Sequence, residues 1–504
     1  MASMFPLSDI VDRAGELHAK RSAVRQGSTQ LSYGELIRRA VALAGGLLAH
    51  GLNPGDRVAI FGRNSFRYLE VNLACAYAGL VLVPLNIRLA AREIDRILTQ
   101  TETRLVLQAL PYESPGIAAI TWDDDQPPGA DNAYEQLVGS STALALPVAR
   151  KLDDVTQIFF TSGTTGEPKG ACLTQQNLVA SALDAIITLD LSEDDVWFHA
   201  PPMFHLVDAF AIWAMTLTGG CHVTEPFDPA RFGPVVESTR VTKVSLPPTL
   251  LDMIVRNSPI AKYDLRSLNR VSFGGSPMPE PIYQRCTTAL GCPLVQSYGA
   301  TETSGTVCQQ FPRDVIGKPW SNSIGQPVPH IRLRVVDDDG VPLPPGAIGE
   351  LAVAGPRLMA GYWRNPAATA AAIPDGWYRT GDLGTRDHAG HFTILGRKKD
   401  MIISGGENVY PAEVESVLLC HRAVAEAAVF GVPSERWGEE VRAVVVLNDG
   451  EKITSAELVE HCREAIGGYK VPKVIDISAE PLPKTGPGKI AKTLLRETYW
   501  KRAS

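Results

Sequence analysis

The chain of 504 residues exceeds the roughly 250–300 residues at which one hydrophobic core stops growing, so two or more domains are expected. Hydrophobic residues make up 45% of it and charged residues 20%, and 48 basic side chains stand against 55 acidic ones, a net charge of −7. This is the balance of a globular enzyme and excludes a nucleic-acid footprint; the densest basic run, GRKKD at Gly396 to Asp400, reads as a solvated or ligand-facing turn.

The N-terminal stretch carries Asp9 and Asp12 where a secretory signal needs apolar residues, and no later apolar run approaches the ~20 residues that cross a bilayer. No membrane span is expected, and the cytoplasm is the expected compartment. Cys75, Cys172, Cys221, Cys286, Cys292, Cys308, Cys420 and Cys462 are scattered, with no CxxC and no metal-ligand spacing. They read as reduced, mostly buried thiols.

From Arg57 the order is strand (RVAIFG), helix opened by Asn64 or Ser65, strand (VLVPLN), a βαβ unit that implies a parallel sheet with a right-handed crossover. Residues from about Leu110 to Asp154, with the polar WDDDQPPGADN, read as a variable surface connection without chemistry. The strand VTQIFF then runs into TSGTTGEPKG, Thr161 to Gly170. Its glycines let the backbone approach a ligand, and its hydroxyls, N–H groups and lysine supply donors and a cation, which describes a site for an anion, most simply a polyphosphate. The following ACLT reads as a second strand before a helix at Asn177. A Walker loop would run GxxxxGK[ST] straight into a helix, and no such match exists, which disfavours a P-loop ATPase or kinase.

Buried strands in VTKVSLPP and LNRVSFGG run into turns, as at the carboxyl edge of doubly wound sheets where ligands sit. After Gly325 short alternating runs broken by DDDG and PPG predict an antiparallel β subdomain. Beyond Gly396 helix and strand signals resume in a separate C-terminal α+β unit.

Five segments, TSGTTGEPKG, QSYGATE (Gln296 to Glu302), YRTGD (Tyr378 to Asp382), GRKKDMIISGGENVYPAEVE (Gly396 to Glu415) and PKTGPGKIAKTLLR (Pro483 to Arg496), resemble the ordered motif set of the adenylate-forming superfamily. Within it the chain most resembles the bacterial acyl-CoA synthetases. The resemblance spans essentially the whole chain and implies an α/β fold. A large N-terminal AMP- and acyl-binding domain, 1–395, would hold doubly wound mixed and parallel sheets with a small β subdomain at about 326–395. A small mobile α+β domain, 396–504, would carry the catalytic lysine.

The implied reaction is ATP- and Mg²⁺-dependent. A carboxylic acid is activated as acyl-AMP with loss of pyrophosphate, and coenzyme A then takes the acyl group and releases AMP. By resemblance, Thr161, Ser162, Gly163, Thr164, Thr165 and Lys169 would hold the β- and γ-phosphates. Glu302 would bind the magnesium ion and Thr301 would touch the α-phosphate. Asp382 would accept from the ribose diol, with Arg397 reinforcing the ribose or phosphate contact, and Tyr298 would flank adenine beside Gly299. Gly274, Gly275 and Ser276 would leave room for nucleotide and acyl carbonyl. Lys489 would bridge the attacking carboxylate and the α-phosphoryl oxygens. Lys399 would be the pivot of a second orientation that brings Gly405 and Gly406 against the pantetheine arm.

The family's acyl pocket maps onto Met203, Phe204, Leu206, Val207, Phe210, Ser297 and Ala300, with His205 gating it or touching the carboxylate. Amino-acid-activating relatives carry an aspartate right after the phenylalanine matching Phe204, where this chain has His205, although Asp208 lies nearby. Malonate-type relatives place an arginine where this chain has Ser297. A neutral tail is therefore expected, from a medium- or long-chain fatty acid or an aryl acid, with Ser297 favouring a shorter or aromatic one. Two alternatives stand beside this reading: an acyl-adenylate donor to a carrier protein, and a non-catalytic nucleotide-binding protein on the same fold. The expected partners are the acid, ATP and coenzyme A, with no nucleic acid; dimerisation is left open.

Overall fold

Branched aliphatic residues favour extended chain, and the strands Arg57–Phe61, Val81–Pro84 and Leu105–Gln108, separated by helices, lie side by side in parallel as the βαβ pattern requires. The computed structural model describes residues 5–113, 116–140, 143–161, 168–257, 259–434, 436–484 and 490–503. Ser65, rather than Asn64, opens the helix Phe66–Tyr77, its hydroxyl accepting from the Tyr68 N–H at 3.3 Å. These strands belong to a seven-stranded sheet whose other side is the antiparallel hairpin Val155–Thr161 and Lys169–Thr174. The helix that follows begins at Gln175, two residues before the expected Asn177. Thr174 caps it, its hydroxyl accepting from the Asn177 backbone N–H while the Asn177 side-chain Oδ1 accepts from the Thr174 N–H.

The segment read as a bare surface connection is built into this sheet. Ala118–Thr121 adds a parallel strand beside Leu105–Gln108, and the helix Ala133–Ser140 packs on the helix Tyr33–Ala49 so closely that a Cβ on Gly46 would lie 2.7 Å from the Leu137 carbonyl oxygen. Arg67, fully buried, explains the order. Its guanidinium donates to Glu135 at 2.8 Å and to the carbonyls of Asp123, Gln126 and Pro127, so the polar segment supplies the acceptors that a buried cation needs.

A second sheet, of thirteen strands, begins its functional half with the parallel strands Val196–Phe198, Lys243–Leu246, Arg270–Gly274 and Leu294–Ala300. It continues through Gly305–Gln309 and Ser323–Pro327 into the antiparallel Phe392–Arg397, Tyr378–Arg386, Gly349–Ala354 and Arg332–Val336. The antiparallel β region anticipated after Gly325 is thus a continuation of the main sheet. Its short strand Gly361–Tyr362 crosses to the other sheet and pairs with Lys169–Thr174.

A third sheet is organised by the long hairpin Val424–Ser434 and Gly438–Leu447, flanked by Ile402–Ser404, Glu407–Val409 and Val474–Ser478. Helices Pro411–Cys420 and Ser455–Ala465 bury Leu418, Leu458 and Cys462 in its core. Seven of the eight cysteines are buried and Cys420 is exposed. Among the described residues no helix is long and apolar enough to cross a membrane.

Candidate active site

Asp382 lies in the strand Tyr378–Arg386, directly opposite Arg397 on the neighbouring strand. That register brings the Arg397 Nε to 2.8 Å from Asp382 Oδ1, while the Tyr298 hydroxyl donates to Oδ2 at 2.5 Å. Burial, and then the Asp382 carboxylate, push the Tyr298 hydroxyl well above the ordinary tyrosine range, so it stays a donor. A carboxylate has about four acceptor positions, so both oxygens can still receive a vicinal diol.

Glu302 is presented by a tight turn, Thr301–Thr303, after the strand carrying Tyr298. Residues not anticipated from the sequence hold that turn. Arg357, 1% exposed, donates to Asp184 at 2.9 Å, to Ser181 at 3.2 Å and to the Ser304 carbonyl at 2.8 Å, and the Ser304 hydroxyl returns a bond to the Arg357 carbonyl. The Tyr362 hydroxyl donates to Glu302 Oε1 at 2.9 Å, and the Lys169 ammonium sits 5.3 Å from the centre of the Tyr362 ring. Lys169 is the first residue of its strand, opposite Thr161, so the base of the connection between these two strands is tied through Tyr362 to Glu302. Ser162, Gly163, Thr164 and Thr165 lie outside the described residues, as does Lys489.

Gly274 and Gly299 answer to neighbouring backbone. A Cβ on Gly274 would lie 2.3 Å from the Ser297 carbonyl oxygen, and one on Gly299 2.1 Å from that of Gly305. Gly275 has φ +86° with nothing within 4 Å of its absent Cβ, and Ser276 follows in the same open turn. Met203, Phe204, Leu206 and Phe210 are buried around the start of the helix Leu206–Thr218, and Val207, Ser297 and Ala300 are half-buried. His205 is the residue before that helix, its ring edge-on to Phe204 at 4.6 Å between centres. Asn64 fixes the loop that leads there, donating to the His199 and Pro201 carbonyls at 2.6 and 2.7 Å and accepting from the Met203 N–H at 2.8 Å.

Asp208 is committed to the protein's own interior. Fully buried, it accepts from the Trp197 indole at 3.0 Å and from His199 Nδ1 at 2.6 Å. Beyond it the bonds continue from His199 Nε2 to His222 Nδ1 at 2.9 Å and from His222 Nε2 to the Thr216 oxygen at 3.3 Å, which lies 2.6 Å from the Ile212 carbonyl. Burial, and then the neighbouring His199, hold His222 well below the usual histidine range and so neutral. Asp208→Asn is expected to destabilise the fold by about 1–3 kcal/mol, because the amide sets a donor against one of the two buried ring N–H groups that the carboxylate accepts from. Urea unfolding at neutral pH measures it, and an unchanged midpoint would refute that role of the carboxylate.

In the third sheet Gly405 and Gly406, at φ +62° and +86°, form the two-residue turn between Ile402–Ser404 and Glu407–Val409, a conformation that glycine adopts without strain. Lys399 lies in the turn Lys398–Asp400 immediately after Phe392–Arg397, and its neighbour Lys398 bonds Asp338 at 2.6 Å.

With this geometry in place, the comparisons with known proteins are decisive. The model of the AMP-binding enzyme family matches residues 11–363, and that of its C-terminal domain matches 413–489. The chain belongs to the AMP-binding enzyme family. It is 39% identical to a feruloyl-CoA synthase of Amycolatopsis sp. over 97% of this chain and 98% of that protein. It is 37% identical to an indoleacetate–CoA ligase of Aromatoleum aromaticum over 97% of this chain and 98% of the relative. The solved o-succinylbenzoate coenzyme A synthetase of Bacillus subtilis, in complex with ATP and magnesium ion, superposes with a TM-score of 0.84 at 29% identity, covering 97% of this chain and 98% of that one.

The protein is an AMP-forming acid–thiol ligase: it forms an acyl-adenylate from a carboxylic acid and ATP, then passes the acyl group to coenzyme A. Its fold is the mixed α/β architecture of the adenylate-forming enzymes. Magnesium fits the site in one particular way. Among the described residues no cluster of three His, Cys, Asp or Glu side chains gathers, and Glu302 keeps Oε2 clear of Tyr362. A single carboxylate beside a polyphosphate is what magnesium requires when phosphates and water complete its shell. When bound, the ion would neutralise phosphate charge.

Proposed function

We propose that the ligase acts on a neutral aryl acid that bears a hydroxyl or similar oxygen at the end remote from its carboxylate. The observation that carries this reading lies behind the apolar lining. Phe210 borders a cavity of about 10 Å³, room for one oxygen atom, together with Ser272, Thr306, Gln309 and the Asp184–Arg357 pair. Gln309 is 2% exposed, and its side-chain nitrogen has no hydrogen-bond partner among the described residues. A buried donor left unmade costs about 1–3 kcal/mol, which an oxygen on the substrate would recover and an alkyl chain would not. Relatives that act on ferulate and indoleacetate, by their names, support an aryl acid.

In this reading the loop from Thr161 to Thr165, with Lys169, holds the leaving phosphates, and Thr301 and Glu302 serve the α-phosphate and the magnesium ion. Asp382, oriented by Arg397 and Tyr298, grips the ribose. His205 closes the carboxylate end of a pocket lined by Met203, Phe204, Leu206, Val207 and Ala300. Lys489, on the unit from residue 396 onward, crowds the substrate carboxylate against the α-phosphorus. That unit then turns about Lys399 to set Gly405 and Gly406 beside the thiol arm.

Pyrophosphate release is to be measured with 4-hydroxycinnamate, cinnamate and dodecanoate. The hydroxylated acid is expected to exceed cinnamate in kcat/KM by about tenfold or more, and Gln309→Leu to erase that preference. Equal use of cinnamate, or a preference for dodecanoate, would overturn the assignment.

A further inference from the structure

Leu206, Val207 and Phe210 share the first turns of the helix Leu206–Thr218, and the start of that helix is held in an unusual way. His205 precedes it without a side-chain capping bond, and Asp208 stands in its first turn, where a carboxylate ordinarily bonds back to the free N–H groups of its own helix. Both Asp208 oxygens reach sideways instead, Oδ1 to the Trp197 indole at 3.0 Å and Oδ2 to His199 Nδ1 at 2.6 Å. The helix is thereby moored to the strand Val196–Phe198 and to the residue just beyond it.

The mooring has a fixed end. Trp197 lies opposite His222 on one neighbouring strand and Lys243 on the other, so its backbone is held from both sides. The His199 backbone N–H donates to the Val223 carbonyl at 2.9 Å, and its ring Nε2 lies 2.9 Å from His222 Nδ1. Trp197, His199, Asp208 and His222 are all fully buried. The indole also meets the pocket wall: it stands edge-on to the Phe210 ring, 5.5 Å between centres at 76°, in one apolar cluster with Met203, Leu206 and Trp213. Its N–H holds the helix and its ring backs Phe210.

We infer that Trp197 is a specificity-determining residue of the ligase, acting through Phe210 rather than by touching the acid. The inference rests on the reading that Phe210 faces the acyl group. A ring packed against a fully buried indole has no room to draw back, because protein interiors are filled to crystal-like density and this indole is itself pinned by Asp208. A short, flat acid fits in front of such a ring, whereas a long alkyl chain needs the ring to yield. Trp197 therefore sets where the pocket stops. A smaller side chain at this position lets Phe210 retreat into the vacated volume and lengthens the pocket.

Acid-dependent pyrophosphate release is to be measured with cinnamate, 4-hydroxycinnamate, octanoate and dodecanoate. The full chain is compared as wild type, Trp197→Phe, Trp197→Leu, Phe210→Ala and Trp197→Leu/Phe210→Ala, with thermal melting followed for each. Trp197→Leu is expected to raise the ratio of kcat/KM for dodecanoate to that for cinnamate by about tenfold or more, with KM for ATP within about twofold of wild type. Trp197→Phe, which keeps an aromatic body, should raise the same ratio by about threefold, and it decides the matter if the leucine variant does not fold. In the Phe210→Ala background the tryptophan exchange should move the ratio by less than about twofold, since the ring it acts through is gone. An unchanged ratio in the Trp197 variants would overturn the inference, and so would a shift of equal size without Phe210. A merely structural role lowers kcat with every acid alike and leaves the ratio where it was. The wild-type preference answers a separate question: better use of dodecanoate than of cinnamate sinks the aryl-acid reading, while the change in ratio on substitution still reports on Trp197.

Discussion

Asp382→Ala is expected to slow acyl-adenylate formation by about 10²- to 10³-fold, the loss typical when a preorganised polar contact to the reacting partner is removed. The carboxylate is 7% exposed and is held from both sides, by Arg397 at 2.8 Å and Tyr298 at 2.5 Å. Deleting it would remove the acceptor proposed for the ribose and would loosen Arg397, whose remaining bond among the described residues goes to the Thr380 carbonyl. Asp382→Asn separates the two effects. It preserves the shape but presents an N–H₂ to a guanidinium or a hydroxyl that also donates, so it should lose nearly as much rate. Acid-dependent pyrophosphate release measures both variants; wild-type rates in Asp382→Asn would show that the carboxylate charge is not used.

Lys489→Ala should divide the reaction in two. Adenylation is expected to fall by about three orders of magnitude or more, since the lysine would neutralise a carboxylate forced against phosphoryl oxygens. Thioester formation from supplied acyl-adenylate should stay within about threefold of wild type, because by then the phosphoryl and carboxyl oxygens need no cation to bring them together. Rapid-quench assays of each half-reaction give the test. Equal loss in both, in a variant that melts like the wild type, would remove the support for two orientations of the C-terminal unit.

Much of the site could be read from the chain because its parts are local. Asp382 and Arg397 are fifteen residues apart on adjacent strands, and the turn at Gly405 and Gly406 announces itself by two successive glycines. The residues that hold those parts in place could not be read this way. Arg357 reaches Asp184 across 173 positions, and Asn64 reaches Pro201 across 137, so no spacing or periodicity signals either contact. Tyr362 falls in a two-residue strand whose partner lies in another sheet, and its bond to Glu302 spans 60 positions. The misreading of the segment after Leu110 has the same origin: its carbonyls look solvated until a buried arginine from a distant helix is placed among them. Gly274 and Gly299 were legible as glycines but not as spacers, because the atoms that exclude a side chain come from strands whose pairing only the fold reveals.

The rung that joins Asp382 to Arg397 also bears on the order in which products depart. Both residues belong to strands of the main sheet, and the chain leaves that sheet immediately afterwards. With the pivot proposed at Lys399 and the ribose proposed on Asp382, the sugar of the nucleotide would be gripped by a wall that does not travel, whatever the unit beyond it does. Pyrophosphate can therefore go before the swing, and the thioester can form after it, with the same nucleotide still seated. In that reading AMP is the product expected to leave last, and it should inhibit competitively against ATP while remaining noncompetitive towards coenzyme A.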